Sequence, residues 1–295
     1  MTDRLLGSGL IIVDKPTGMT SHDVISRLRR IFGTRRVGHA GTLDPMATGV
    51  LVVGIERGTR FLAHLVTETK TYRATIRLGA STTTDDAEGD ITSRTDTTDV
   101  TDTLIDAAIA QLTGDIMQKP AAVSAIKIDG KRAHERVRDG ETVDIPARPV
   151  TVHRFDVLDR RSVDGYIDLD VDVFCSSGTY IRSLARDLGN ALGVGGHLTA
   201  LRRTTVGPFD LTHARTLEEL EDNPQLSLTL DLAASFPVLR VSGEEGHKLA
   251  MGQWLEPRGL KGIHAAVTPD GQAVALVKEK GKRLATVFVA RPSTL

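Results

Sequence analysis

Two stretches with a strict period of two, far apart in the chain, commit this sequence to a sheet. From Thr71 to Leu78 the apolar positions Tyr72, Ala74, Ile76 and Leu78 alternate with Thr71, Arg73, Thr75 and Arg77. From Ile167 to Cys175 the apolar positions Ile167, Leu169, Val171, Val173 and Cys175 alternate with Asp168, Asp170 and Asp172. Successive side chains of a strand point to opposite faces, so each run reads as a strand with one face buried and one face polar. Helical spacing appears as well. Val24, Ile25, Leu28 and Ile31 recur on one face behind Ser21, a good amino-terminal cap; the opposite face carries arginines, and Gly33 can end the helix. The chain is therefore of mixed α/β (α+β) class.

Further elements follow from local pattern. Val50 to Ile55 reads as a buried strand, and Leu104 to Leu112 as a helix entered from an exposed Thr/Asp-rich loop over Thr92 to Thr103. The second alternating run passes through Ser176-Ser177-Gly178-Thr179 into a helix from Tyr180 to about Leu188, with Gly189 as its stop. Between the two runs, Pro120 to Pro149 is a basic excursion with a short helical pattern over Ala133 to Arg138. An acidic stretch from Leu217 to Asp231 contains the turn pair Asn223-Pro224, and beyond Phe236 short apolar runs alternate with glycines, as in a small β-rich domain. A length of 295 residues accommodates one large domain and one small one.

Composition removes several function classes. Apolar residues make up 40% and charged residues 25%, and no apolar run approaches the ~20 residues of a membrane span. Met1-Thr2-Asp3-Arg4, followed by a glycine-broken stretch and Asp14-Lys15, is unlike a cleavable signal. The lone Cys175 cannot close an internal disulfide and brings no structural zinc cluster, which suits a reducing cytosol. These features predict a cytoplasmic protein. The net charge of -1 hides segregation: Arg27, Arg29, Arg30, Arg35 and Arg36 crowd one stretch, Lys127, Lys131, Arg132, Arg136 and Arg138 another, and Lys278, Lys280, Lys282 and Arg283 a third. Compensating acids fall elsewhere in the sequence, at 85–106 and at Glu218, Glu219, Glu221 and Asp222. Local positive potential of this kind attracts phosphate, although solvated helix faces read the same way from charge alone.

The segment richest in chemistry runs Gly38-His39-Ala40-Gly41-Thr42-Leu43-Asp44-Pro45-Met46-Ala47-Thr48-Gly49-Val50-Leu51. Three glycines and a proline make an irregular loop leading into a strand, a usual way to hold a reactive side chain on a rigid scaffold. Pro45 disfavours helical backbone at Asp44. Residue by residue, an Asp-Pro pair is more often a turn than a nucleophile, and a single histidine is usually a surface or hydrogen-bonded group.

The whole segment closely resembles the signature of the pseudouridine synthases that act on the T loop of transfer RNA, the TruB family. Val13-Asp14-Lys15-Pro16, Gly18-Met19-Thr20-Ser21, Lys70-Thr71-Tyr72-Arg73, Asp85-Asp86-Ala87-Glu88-Gly89, Ser124-Ala125-Ile126-Lys127 and Gly178-Thr179-Tyr180-Ile181-Arg182 follow that family's order. The resemblance is strong over residues 9–210 and weak beyond. It implies a pseudouridine synthase fold, a mixed, largely antiparallel central sheet flanked by helices. The implied catalytic domain covers 1–232, with an RNA-clamping insertion at about 125–146, and a PUA-like RNA-binding domain covers 233–295.

It further implies isomerisation of the T-loop uridine, position 55 in transfer RNA numbering, after the base has been flipped out. The C1′–N1 bond breaks, the base turns, and C5 joins the same sugar carbon. Nothing is oxidised and no water is consumed, so no cofactor and no metal is called for. By matching position Asp44 is the nucleophile, and the same carboxylate serves attack at ribose C1′ or uracil C6. Arg182 matches the arginine that pairs with it, and Tyr72 the tyrosine that stacks on the target base, although its place on the apolar side of its strand fits core packing equally well. Tyr180 and Leu201 match pocket-lining residues, and His39 the histidine that enters the RNA where bases have turned out.

Lys15, Arg35, Arg36, Lys127, Lys131 and Arg132 are candidates to grip phosphates. Within the insertion, His134 stands where related sequences usually carry tyrosine. The implied partner is the T stem-loop of transfer RNA, met by a monomer without guide RNA or membrane. A protein that only binds and refolds transfer RNA, and a metal-dependent hydrolase built on His39, Asp44, His64, Asp85 and Asp86, are the competing classes.

Overall fold

The computed structural model describes residues 7–64, 69–121, 127–128, 131–132, 145–229 and 236–292. In chain order its main elements are β1 (Gly9–Lys15), α1 (Ser21–Ile31), β2 (Val37–Ala40), β3 (Thr48–Ile55), α2 (Gly58–Phe61), β4 (Lys70–Leu78), β5 (Ala80–Thr82), β6 (Ile91–Arg94), α3 (Asp102–Gln111) and β7 (Gly114–Gln118). There follow β8 (Lys127–Ile128), β9 (Lys131–Arg132), β10 (Arg148–Val163), β11 (Tyr166–Cys175), α4 (Ile181–Ala191), β12 (Gly196–Val206), β13 (Phe209–Asp210), α5 (Leu217–Asp222), β14 (Leu228–Thr229), β15 (Val238–Arg240), α6 (Gly243–Ala250), β16 (Ile263–Val267), β17 (Ala273–Lys280) and β18 (Arg283–Val289). Two compact units result. One comprises Met1–Pro45, Gly49–Val66 and Val206–Leu295, and the other Met46–Thr48 and Thr67–Thr205.

In the first unit β3 is the central strand. β1 runs antiparallel to it from Gly9↔Ile55 to Lys15↔Gly49, and β2 pairs with it from Val37↔Ile55 to Ala40↔Val52. All but the first residue of β3 are buried, because both faces are covered. Ile11, Val13, Leu51 and Val53 face Val24, Ile25 and Leu28 of α1 and Leu217 and Leu220 of α5. Their neighbours Leu10, Ile12, Val50 and Val52 face Ala265, Val267, Leu276 and Phe288 of the carboxy-terminal strands. Those strands form the β-rich domain expected from Phe236 onward, a four-stranded sheet ordered β15-β16-β17-β18, parallel at β15–β16 and antiparallel elsewhere. Each fully buried aliphatic side chain here contributes about 1.5–3 kcal/mol.

α1 departs from expectation at its start. Thr20, not Ser21, is the cap: its hydroxyl accepts from the Asp23 amide at 3.1 Å while the Asp23 carboxylate accepts the Thr20 amide at 2.9 Å. This reciprocal pair outcompetes Ser21 because Asp23 sits three residues beyond Thr20, where a carboxylate can reach back. Gly33 ends the helix as expected, at φ 61°. The arginine face is also less free than its sequence suggests, since Arg27 is gripped bidentately by Glu221 at 2.7 and 2.8 Å and lies 3.3 Å from Glu218. The acids that are remote in sequence are its neighbours in space.

In the second unit the strands run β12-β4-β11-β10-β7. The two alternating runs are adjacent antiparallel strands, which explains their pattern. Arg77, Thr75 and Arg73 stand opposite Asp168, Asp170 and Asp172. Arg77 donates twice to the Asp168 carboxylate, both at 2.7 Å, and Thr75 donates to Asp170 at 2.7 Å. Such cross-strand pairs each contribute ~0.2–1 kcal/mol and disfavour a register slip, which would place like faces against water and core wrongly.

The Thr92–Thr103 stretch is not loop throughout: β6 pairs with β5, and Thr97 is buried. Gly189 is likewise not a stop. α4 continues to Ala191 and ends before Gly193, which has φ 73°. Gly189 is internal because its helix lies against the backbone of Gly195 and Gly196, where an added Cβ would come within 2.1 Å of main-chain atoms. The clamping insertion expected at 125–146 lies largely outside the described residues, as do the helical pattern at 133–138 and His134. Its described core is the antiparallel pair β8–β9, with Lys127 opposite Arg132. No helix among the described residues is long and apolar enough to cross a membrane.

Gly189→Ala is expected to lower stability by ~1–3 kcal/mol through this backbone collision. A denaturant midpoint unchanged from the parent protein would show that the α4 contact yields freely.

Candidate active site

Asp44 is held through its neighbours. Leu43, buried, donates its amide to Ser21 Oγ at 2.9 Å, and the same hydroxyl donates back to the Leu43 carbonyl at 3.2 Å. Ser21 opens α1 and is itself buried, so the residue before Asp44 is fixed to a helix end. On the other side the Pro45 carbonyl accepts from the Gly18 amide at 2.8 Å and from Lys15 Nζ at 3.2 Å. Gly41 and Gly49 adopt φ of 81° and 98°, a region that side-chain-bearing residues avoid, and bracket the bend. Asp44 is half-buried between these clamps.

Lys15 therefore corrects the sequence reading. It is fully buried, and its ammonium donates to the carbonyls of Pro16 at 2.8 Å, Met19 at 2.6 Å and Pro45 at 3.2 Å. A buried ammonium committed to main-chain oxygens is a fastener for the bend and is not placed to grip a phosphate. His39 is half-buried on β2 opposite Val53. Arg35 and Arg36 are exposed just before β2, and Arg36 lies 3.5 Å from the Glu56 carboxylate. They border an open cavity of about 620 Å³, with Ser8, Thr34 and Arg57 among its walls. Asp44 does not line it.

The second unit holds the remaining expected residues. Tyr72 is buried on β4 opposite Val173, and Leu201 is buried on β12, the strand next to β4. Tyr180 caps α4, and its backbone is locked by buried Gln118: the Tyr180 amide donates to Gln118 Oε1 at 2.8 Å and Gln118 Nε2 donates to the Tyr180 carbonyl at 3.1 Å. Arg182, two residues on and 4% exposed, donates to the Thr84 carbonyl at 2.9 Å and lies 3.6 Å from the Asp86 carboxylate. Arg186, one turn later, meets Asp85 at 3.1 Å and donates to the Lys119 carbonyl at 2.7 Å. Burial pushes the Asp85 carboxyl above its usual range, against the pull of Arg186 and Arg182.

Asp85-Asp86 is thus an acidic bracket for α4, a role its sequence did not disclose. The signal was there in the paired acids and in arginines one helical turn apart. Gln118 and Thr48, which accepts from Arg202 at 3.2 Å, were also missed, because neither residue type draws notice alone. Lys127, Lys131 and Arg132 are placed as backbone only in β8 and β9. Among the described residues no three His, Cys, Asp or Glu side chains converge as metal ligands.

Residues 29–181 match the amino-terminal domain of TruB family pseudouridylate synthases, 182–230 the tRNA pseudouridylate synthase B carboxy-terminal domain, and 236–291 the carboxy-terminal domain of tRNA pseudouridine synthase II. This chain belongs to the TruB family of pseudouridylate synthases.

Family relatives include proteins named tRNA pseudouridine synthase B from Corynebacterium efficiens, 72% identical over the whole of both chains, and from Nocardia farcinica, 60% identical over 97% of this chain and 94% of the relative. Among solved structures, a Cbf5–Nop10–Gar1 complex matches with a TM-score of 0.74 at 27% identity, covering 99% of this chain and 87% of that one. An H/ACA RNP bound to a substrate RNA containing 2′-deoxyuridine matches at 0.73 and 26%, covering 98% and 86%. The TruB fold, an α/β core with a mixed sheet and a carboxy-terminal β-rich domain, is therefore shared with pseudouridine synthases.

Replacing Lys15 by methionine separates fastener from phosphate ligand. It should destabilise the protein by ~1–3 kcal/mol through orphaned carbonyls. The salt dependence of RNA binding should keep its slope, whereas loss of a phosphate contact would reduce that slope by roughly one.

Proposed function

We propose that the chain converts the T-loop uridine of transfer RNA to pseudouridine, with Asp44 as nucleophile, acting as a monomer without a guide RNA. The observation that carries this reading is the clamped bend: Leu43 and Pro45 are tied to Ser21, Gly18 and Lys15, while Asp44 between them is held in place without being sealed off. A nucleophile gains most from such positioning, since the reaction needs a carboxylate at a fixed place and no cofactor. The names of the relatives support transfer RNA as substrate.

The proposed roles follow the resemblance. Asp44 bonds to an electron-poor carbon of the everted nucleoside, ribose C1′ or uracil C6; the C1′–N1 bond breaks, the base turns, C5 bonds to C1′, and the bond to Asp44 is broken again to regenerate the carboxylate, while C5 loses its proton and N1 gains one. Arg182, itself tied to Thr84 and Asp86, is the arginine that the resemblance pairs with the nucleophile. Tyr72 packs the target base, Tyr180 and Leu201 bound its pocket, and His39 stacks in the space the base leaves. Arg35 and Arg36, both exposed, and Lys127, Lys131 and Arg132 of the 125–146 insertion hold the backbone phosphates. Residues 1–232 act as the catalytic domain and 233–295 as a PUA-like RNA-binding domain.

Asp44→Asn is expected to abolish pseudouridine formation in an unmodified transfer RNA transcript, mapped after incubation with the purified protein, while leaving RNA affinity near the parent value. Turnover by the variant would remove Asp44 from its role, and a requirement for added RNA would remove the guide-free reading. His39→Ala should slow turnover at limiting RNA without lowering thermal stability; unchanged kinetics would end its assignment as the stacking residue. RNA affinity should fall steeply as salt rises, and a flat response would contradict the phosphate contacts.

A further inference from the structure

The carboxy-terminal sheet carries a feature that the reaction does not use. Trp254, the only tryptophan in the chain, is 46% exposed, and the Arg283 guanidinium lies over its ring, 4.8 Å from the centroid. The ring is rigidly presented. α6 ends at Ala250 and the chain turns at Gly252 (φ 76°), the Gln253 amide donates to the Lys248 carbonyl at 2.9 Å, and Leu255 exchanges two backbone hydrogen bonds with Leu284, at 3.0 and 2.8 Å. Leu255 and Leu284 are buried, which fixes Trp254 beside Arg283.

The β17–β18 hairpin supplies charge to the same place. Its register sets Lys280 opposite Arg283 and Lys278 opposite Ala285, so Lys278, Lys280 and Arg283 share one face, with Lys282 at the turn. All four cations are exposed. Glu279, the acid between the lysines, points to the other face, where its carboxylate accepts the amides of Arg258 at 2.7 Å and Leu260 at 3.2 Å. Glu256 is the acid nearest to Trp254 in sequence, and the cations outnumber it.

We propose that Trp254 and Arg283, flanked by Lys278, Lys280 and Lys282, form a platform for an unpaired nucleotide of the RNA: the base stacks on the tryptophan and the adjoining phosphates sit on the lysines. An aromatic ring beside a row of cations is the arrangement that holds single-stranded nucleic acid, because every base offers a π face and every linkage a charge. A duplex keeps its bases stacked inside and offers the ring nothing. The inference deepens the RNA-binding reading of residues 233–295 and rests on it, without depending on Asp44.

The single tryptophan makes the test direct. The full-length protein is titrated at low salt with a short oligoadenylate, which contains no uridine, while tryptophan emission is followed; an RNA duplex and inorganic tripolyphosphate are run in parallel. Oligoadenylate should quench the emission saturably, and the other two should not. Lys280→Glu and, separately, Lys278→Glu should weaken oligoadenylate binding, each by roughly tenfold, with Asp44→Asn unchanged.

No quenching by oligoadenylate, equal quenching by tripolyphosphate, or concentration-dependent burial of Trp254 in a dimer seen by sedimentation would each overturn the platform. If quenching fails while transfer RNA is still modified, only this inference falls. If quenching survives while the parent protein forms no pseudouridine, the catalytic reading falls instead.

Discussion

A buried ammonium organises the bend that carries Asp44. Lys15 is fully buried, and carbonyl oxygens of Pro16, Met19 and Pro45 stand in for its hydration. Those carbonyls belong to two loops that the chain alone would not bring together, the turn at Pro16 and Met19 and the bend at Pro45. The lysine therefore converts its own desolvation cost into a constraint, since the bend cannot relax without stranding a charge. Ser21 adds the second constraint from the first residue of α1, and Asp44 inherits its position from both.

The same logic recurs in the second unit with opposite components. There the buried Arg182 and the half-buried Arg186 on α4 are met by a loop of acids, Arg182 by Asp86 and Arg186 by Asp85, and also donate to the carbonyls of Thr84 and Lys119. Asp85 has φ 60°, unfavourable for a residue with a side chain, and its carboxyl is pushed up by burial. Both costs are carried by a segment whose purpose is to hold a helix end, and the helix carries Tyr180 and Arg182 at its first turn. In each unit a polar tie is added to the sheet and its core, fixing the Asp44 bend in one and the first turn of α4 in the other.

Much of the fold was legible. The alternating runs became β4 and β11, the apolar run at Val50–Ile55 became the doubly covered β3, and the glycine-punctuated end became a β-rich domain. Readings failed where one residue had two possible partners. Ser21 looks like a cap until Asp23 is seen to favour Thr20, and Gly189 looks like a stop until the Gly195–Gly196 backbone is seen against it. The candidate site was legible as motif and illegible as mechanics: the block around Asp44 identified the family, but Lys15 looked like a surface cation because charge in a sequence carries no sign of depth.

What the sequence determined by itself was periodicity and identity. A period of two fixes which side chains share a face of a strand, and a motif fixes which chemistry is on offer; both are local properties. Tertiary structure alone decided burial and partnership: that Arg27 is spent on Glu221 almost two hundred residues away, that Lys15 lies inside, and that Trp254 lies outside beneath Arg283. The reason is physical. The free energy of a charge or an aromatic ring depends on its solvent and its neighbours, and folding, not spacing, assigns both.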